Sequence, residues 1–246
     1  MAKQSGLGDA FFLAGYDLSG DLGSINTSGG PAALEVTGID KSAFERTGGL
    51  RTGGMSWQAW FNPAANQAHD RLSTLPTTDV IATYFRGTTL GNQSANIVAK
   101  QLNYDGTRAD DGSFTFAVEA QSNGYGVEWG RSLTAGKRTD TTATNGTSVD
   151  FGTGSTTFGL QAYLHVFAFT GTSVTVSLEE SSDNGTDPWT AVTGGAFTAA
   201  TGITSQRIAT AAGQTVERYL RVVTTGTFTN AVFAVSVVRN TTATVF

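Results

Sequence analysis

The sequence predicts a mainly β protein carrying one short helix. Three observations lead there. Apolar residues recur with period two, as in "MSWQAWF" (55–61), where Met55, Trp57, Ala59 and Phe61 point one way and Ser56, Gln58 and Trp60 the other. β-Branched and aromatic residues, which suit a pleated surface, run through the chain. The 31 glycines fall mostly between these stretches, where turns are needed.

The elements follow in order. Strands are expected over 10–17, 32–39 and 54–61, then 79–86, 95–104, 112–122 and 125–130. The helix is expected over 63–75, in "NPAANQAHDRLSTL". Asn62 suits the N-cap, Pro63 suits the first turn, and Ala64, Ala65, Ala68, Leu72 and Leu75 recur at helical spacing before Pro76 ends the run. In "FERTGGLRTGGMSW" two Gly-Gly pairs, Gly48-Gly49 and Gly53-Gly54, bracket Leu50 and Arg51. That pattern predicts a flexible loop over 40–54, either a plain surface loop or one that reaches a neighbouring molecule. Past residue 155 no helical pattern occurs. Strands are expected at 156–169, 173–180, 188–192, 206–211, 216–224 and 228–239, with "SSDNGTDPW" (181–189) as a hairpin turn whose left-handed positions come from Asp183-Asn184-Gly185. Short strands at this spacing suggest a β-sandwich.

Between the halves lies "SLTAGKRTDTTATNGTSVDFG" (132–152), rich in Thr, Gly and Asn. Charge thins across it: residues 1–137 hold 10 basic and 13 acidic residues, residues 138–246 hold 5 and 7. The expected organisation is a β domain with the helix over 1–137, a linker over 138–150 and an all-β sandwich over 151–246.

Composition excludes several function classes. Charged residues make up 14% of the chain, against about 25% in an average soluble domain. With 39% hydrophobic residues and a net charge of −5, the chain is expected to fold. An exterior of Thr, Ser, Asn, Gln and Gly repels copies of itself only weakly, which favours self-association. There are 15 basic and 20 acidic residues and no Lys/Arg run. Tight nucleic-acid binding needs a basic patch, so it is not expected; a surface that DNA slides past is compatible. The absence of cysteine removes disulfides, thiolate metal sites and Cys nucleophiles. The N-terminus shows no basic-then-apolar signal pattern, and no apolar run approaches the ~20 residues that span a bilayer. Synthesis and folding in a cytoplasm, without membrane binding, are expected.

Motifs of catalysis fail on spacing. Gly136-Lys137 resembles the end of a phosphate loop, but five residues rather than four separate Gly130 from Gly136, Arg138 replaces the Mg²⁺-binding hydroxyl, and no helix follows to converge backbone amides on a phosphate. "GTGSTTFG" (152–159) lacks the third glycine of a dinucleotide fingerprint, and no G-x-S-x-G occurs. His69 and His165 lie far apart in sequence and lack the usual metal spacing. "DGTRADDG" (105–112) and "DNGTD" (183–187) have turn chemistry and no EF-hand spacing. No catalytic, cofactor-binding or metal residue is assigned, no cofactor is expected, and the chain is not expected to be an enzyme.

Long ordered stretches resemble one family. They are "GDAFFLAGYDLSGDLGSI", "GPAALEVTGIDKSAFERTGGLRTGGMSW", "FNPAANQAHDRLSTLPTTDVIATYFRGTTLG", "KQLNYDGTRADDGSFTFAVEAQSNGYGVEWGRSLTAGKRTD" and "ERYLRVVTTGTFTNAVFAVSVVRN", spanning nearly the whole chain. Together they resemble the major tail proteins, or tail-tube proteins, of siphophages that infect actinobacteria. The resemblance implies an N-terminal tail-tube-like β-sandwich or barrel with one flanking helix and long loops or arms. It also implies hexameric rings stacked into a tube in the virion tail, contact with other tail proteins, and a lumen that passes DNA without tight binding. The 151–246 sandwich exceeds the minimal tube fold and is expected on the tube exterior. Inter-subunit contacts are expected from residues 1–9, the 40–54 loop and the 131–148 stretch, with Phe44, Arg46, Leu50, Arg51, Arg131, Lys137 and Arg138 as candidates. The alternative is a capsid decoration protein or a carbohydrate- or receptor-binding virion protein. The glycan reading rests on Tyr163, Trp189 and Tyr219.

Overall fold

The computed structural model describes residues 5–152, 154–185 and 187–243. The chain is mainly β with one short α-helix, as the sequence predicts. In chain order the strands begin with β1 (Ala10–Leu13), β2 (Tyr16–Asp17), β3 (Leu22–Glu35) and β4 (Arg46–Trp60). The helix α1 (Ala68–Leu72) follows, then β5 (Val80–Phe85), β6 (Gln93–Gln101), β7 (Asp105–Arg108), β8 (Phe114–Ser122) and β9 (Glu128–Ser132). The remainder is β10 (Arg138–Asp140), β11 (Val149–Asp150), β12 (Leu160–Ser181), β13 (Thr190–Ala196), β14 (Thr204–Ala209) and β15 (Tyr219–Arg239). Among the described residues no helix is long and apolar enough to cross a membrane.

Contacts divide the chain into two compact units. The first comprises Met1–Gly20, Ile81–Asn96 and Trp129–Phe246, the second Asp21–Val80 and Ile97–Glu128. These are not the expected segments 1–137 and 151–246. The reason is visible in the stretch expected as a linker. β10 pairs with β15 from Arg138↔Phe233 to Asp140↔Ala231, and β11 pairs with it at Val149↔Leu220. Both ends of the 138–150 stretch therefore pair with β15 within the first unit.

In the first unit β12 and β15 run antiparallel from Leu160↔Arg239 to Ser181↔Tyr219. Each replaces two expected strands. The expected breaks, near 170 and 226, are bends within continuous strands. Register shifts cluster around Gly171, and Gly171 and Gly226 adopt φ of 150° and 117°. A β-carbon on Gly171 would collide with Phe228, and one on Gly226 with the Ser173 carbonyl, so the close crossing at the bend requires glycine. Val174, Val176 and Leu178 of β12 join Leu220, Val222, Phe233 and Val235 of β15 in the core of this unit. β13 and β14 pair with β12. On the other side the order runs from β15 through β9, β6 and β5 to β1 and β2. The expected 10–17 strand is a tight hairpin, β1–β2, turned by Ala14 and Gly15 at φ of 51° and 86°, the mirror-image turn geometry that suits paired strands.

In the second unit β4 lies between β3 and β8, with β7 and the end of β6 also on β8. Period-two burial is clear on β4, where Met55, Trp57 and Ala59 are buried, and on β8, where Phe116, Val118 and Ala120 are. β7 occupies part of the 105–112 stretch, whose Asp and Gly residues predicted a turn. The helix is shorter than the expected 63–75. Asn62 accepts a hydrogen bond from the Ala64 N–H in a local turn, and Asn66 sits at a left-handed φ of 67°. The cap comes from a distant residue instead: the buried Asp21 carboxylate accepts the Ala68 N–H at 2.9 Å and the Asn62 side-chain amide at 2.8 Å.

Candidate interaction surface

The β3–β4 pairing extends from Leu22↔Ala59 to Glu35↔Arg46. Near its base β4 also pairs with β8, from Trp60↔Thr115 to Gly54↔Gln121. Beyond Gly54 the described partner of β4 is β3 alone. The distal half, residues 29–35 with 46–53, is thus a two-stranded ribbon closed by residues 36–45, and nearly all of it is exposed on both faces. This overturns the expected flexible loop over 40–54: residues 46–54 are strand. One glycine of each Gly-Gly pair serves close approach. A β-carbon on Gly53 would lie 2.5 Å from the Val127 N, where the chain crosses the ribbon base, and one on Gly49 would lie 2.9 Å from Leu34 Cγ.

The ribbon gathers four of the seven candidates. Leu50 is 90% exposed and Phe44 67%. Arg46 stacks its guanidinium over the Phe44 ring at 5.1 Å, and Arg51 is exposed beside Leu50. Leu34, Val36 and Ile39 are exposed on the same arm. They were not among the expected contact residues, although "LEV" alternates in the sequence. An isolated two-stranded ribbon is marginal in water, and large exposed apolar side chains mark surfaces that meet a partner.

Arg131, Lys137 and Arg138 lie in the first unit and are engaged within it. Arg131 donates to the Asp150 carbonyl at 2.9 Å and stacks over Phe151. Lys137 pairs with Asp17 at 2.5 Å. Burial pushes the Asp17 carboxyl up, but that pair and two bonds from Ser19 together outweigh it and hold the carboxyl below its ordinary range. Arg138 holds the buried Asp140 with two 2.8 Å bonds and donates to the Val222 and Thr144 carbonyls. Both cations line a cleft of about 330 Å³, but each is already balanced by a carboxylate. Gly136, at φ of 60°, turns the chain directly into β10, so no helix N-terminus faces this cleft. Of the 1–9 segment, residues 1–4 lie outside the described residues; Asp9 pairs with Arg86 at 2.8 Å.

The two histidines have structural surroundings. His165 is fully buried. Its Nδ1 accepts the Gly15 N–H at 3.2 Å, which leaves Nε2–H to donate to Thr83 Oγ1 at 3.0 Å, and Thr83 donates on to Asn96 at 3.1 Å. Burial pushes its pKa down to about 3, so the ring is neutral. In the second unit His69 Nδ1 lies 3.0 Å from the Tyr104 hydroxyl, whose pKa desolvation pushes up to about 12. Among the described residues no three His, Asp or Glu side chains are grouped to hold a metal ion.

The aromatics behind the glycan alternative are not free platforms. Tyr163 is buried, and its hydroxyl accepts Arg207 Nε at 3.0 Å. Trp189 and Tyr219 each carry a guanidinium on a ring face, Arg221 at 4.3 Å and Arg218 at 5.0 Å.

No protein-family model matches the chain, and no curated protein matches it. Three solved structures are similar in part. A chain described as "Virion of native gene transfer agent (GTA) particle" is 15% identical over 52% of this chain and 98% of its own, with a TM-score of 0.43. A chain from the tail of an empty GTA particle, refined with helical C6 symmetry, is 15% identical over 50% of this chain and 96% of its own, at 0.40. The SPP1 Dit protein, described as a paradigm of the hub adsorption apparatus in phages infecting Gram-positive hosts, is 12% identical over 93% of this chain and 98% of its own, at 0.32.

Proposed function

We propose that this chain is a structural protein of a phage virion. It self-associates into stacked hexameric rings that form the tail tube, a conduit through which DNA passes without being held. The observation that carries self-association is the β3–β4 ribbon: a 14-residue and a 15-residue strand whose distal halves pair only with each other while exposing Leu34, Val36, Phe44 and Leu50. A ring needs a surface on one copy that fits a different surface on the next, closing by rotation. A projecting ribbon with an unpaired edge on β3 suits that geometry. The specific assembly, a tail tube meeting other tail proteins in the virion, rests on the sequence resemblance that spans nearly the whole chain. The net charge of −5 agrees with a lumen that does not retain a polyanion. The role is non-enzymatic, and the partners are further copies of the chain and other tail components.

The test is electron microscopy of the purified full chain, beside a Phe44→Asp/Leu50→Asp variant. Wild type is expected to form rings or tubes of constant diameter, and the variant to remain dispersed with an unchanged melting temperature. Dispersed wild-type monomers at high concentration would reject the assembly. Normal tubes from the variant would reject the ribbon as its contact.

A further inference from the structure

The second unit carries a cleft of about 370 Å³ on one face of the β3–β4–β8 sheet. Its outward side chains are paired across strands. Ser24 stands opposite Gln58, Asn26 opposite Ser56, and Ser56 opposite Glu119, so these residues share one face. Asn103 joins them from the segment before β7. Its Oδ1 accepts the Glu119 N–H and its amide donates to Asp105, both at 2.7 Å, which fixes that wall. Gln58 donates to Thr115 Oγ1 at 3.2 Å, which leaves its Oε1 uncommitted. Ser24, Asn26 and Ser56 make no side-chain hydrogen bond among the described residues, and each lies on a paired strand.

An indole flanks the same face. Trp60 follows Gln58 by two residues on β4 and is 48% exposed. A β-carbon on Gly23 would lie 3.4 Å from Trp60 Nε1 and 3.6 Å from Gln58 Oε1. The indole and the amide therefore converge over a position that lacks a side chain.

The chemistry narrows the ligand. No Lys, Arg or His lines the cleft, and Glu119 is its one charged residue. Phosphorylated, sulfated and nucleic-acid ligands would meet a carboxylate with no cation to offset it. What the cleft offers is neutral amides and hydroxyls, able to donate and accept, beside an aromatic ring. A pyranose has the matching two-sided surface: hydroxyls at its edge and an apolar C–H face for an indole. We infer that this face binds a neutral hexopyranose unit, with Trp60 stacking on the ring and Gln58, Asn26 and Ser56 reading its hydroxyls. The site stands on the geometry of the second unit and does not depend on the assembly proposed above. It is also separate from Tyr163, Trp189 and Tyr219.

The test is tryptophan fluorescence of the full chain titrated with methyl α-glucopyranoside, methyl β-galactopyranoside and N-acetylglucosamine. A saturable change with at least one of them is expected, with Kd on the order of 1 mM for an open, polar cleft. Trp60→Ala is expected to weaken binding about tenfold or more, the loss of one stacked ring. Asn26→Ala is expected to weaken it without altering the fluorescence of the free chain, because Asn26 is exposed and its side chain makes no hydrogen bond among the described residues. Trp129→Phe, in the first unit, is expected to bind like wild type. Three outcomes would each overturn the assignment: no saturable change with any of the three sugars, binding unaltered in both Trp60→Ala and Asn26→Ala, or a sulfated sugar bound more tightly than its neutral parent.

Discussion

His165 shows how one buried side chain sets a stability window. Its ring has both nitrogens satisfied, by Gly15 and Thr83, and it is neutral when folded. In the unfolded chain it titrates near its ordinary 6.5, whereas burial lowers it to about 3 in the folded state. The unfolded state therefore holds the extra proton between those values. The neutral ring's contribution is fully present above pH 6.5 and is lost as pH falls toward 3, at up to about 1.4 kcal/mol per pH unit. The urea midpoint of the wild type is expected to fall through that window more steeply than that of His165→Gln, even though the variant is less stable at pH 7. Parallel slopes would mean that His165 does not govern the acid limb. Asp21 is a second case. It is buried and caps the helix from 47 residues away in sequence, so Asp21→Ala is expected to cost about 0.5–2 kcal/mol, read as a lower melting temperature.

At the scale of elements, the glycines of the ribbon are not equivalent. Gly53 faces the crossing chain at Val127, while nothing lies within 4 Å of a β-carbon on Gly30. Gly53→Ala is expected to destabilise by roughly 1–3 kcal/mol, as overpacking does. Gly30→Ala is expected to be neutral or to gain a few tenths of a kcal/mol from the unfolded state. Equal melting temperatures for the two variants would remove the close-approach argument. The same ribbon marks the limit of what was legible in the sequence. β4 and β8 were readable where they bury Trp57 and Phe116, because a half-buried strand alternates. The distal ribbon buries neither face, so no alternation is imposed on 46–53, and "RTGGLRTGG" looks like a loop, while its partner strand is legible only from residue 32. β12 and β15 read as two strands each because Gly171 and Gly226, which permit a bend, look the same in sequence as glycines that end a strand. The helix N-terminus was misplaced because its capping carboxylate, Asp21, is remote. Of the candidate contact residues, four share the ribbon, where glycine spacing in the sequence marks the stretch but not its strand pairing. Arg131, Lys137 and Arg138 lie on the 131–148 stretch, and their engagement with Asp150, Asp17 and Asp140 depends on pairings that local sequence does not show.

For the molecule as a whole, charge and exposed apolar surface act in opposite directions on self-association. With 20 acidic and 15 basic residues, copies repel one another modestly at neutral pH. The ribbon's own charges are largely met locally: Lys41 bridges Asp40 and Glu45, and Arg46 lies over Phe44. Its uncompensated feature is apolar, at Leu34, Val36, Ile39 and Leu50. If those side chains form the contact between copies, added salt should favour assembly. Salt screens the net repulsion, with a Debye length of about 10 Å at 0.1 M, and sulfate further strengthens apolar burial. Light scattering of the full chain is therefore expected to rise from low to moderate NaCl, and to rise further when sulfate replaces chloride at equal ionic strength. The Phe44→Asp/Leu50→Asp chain should stay flat in both salts. Scattering that falls with salt in the wild type would show that ion pairs hold the copies together, and would move the contact away from the ribbon's apolar residues.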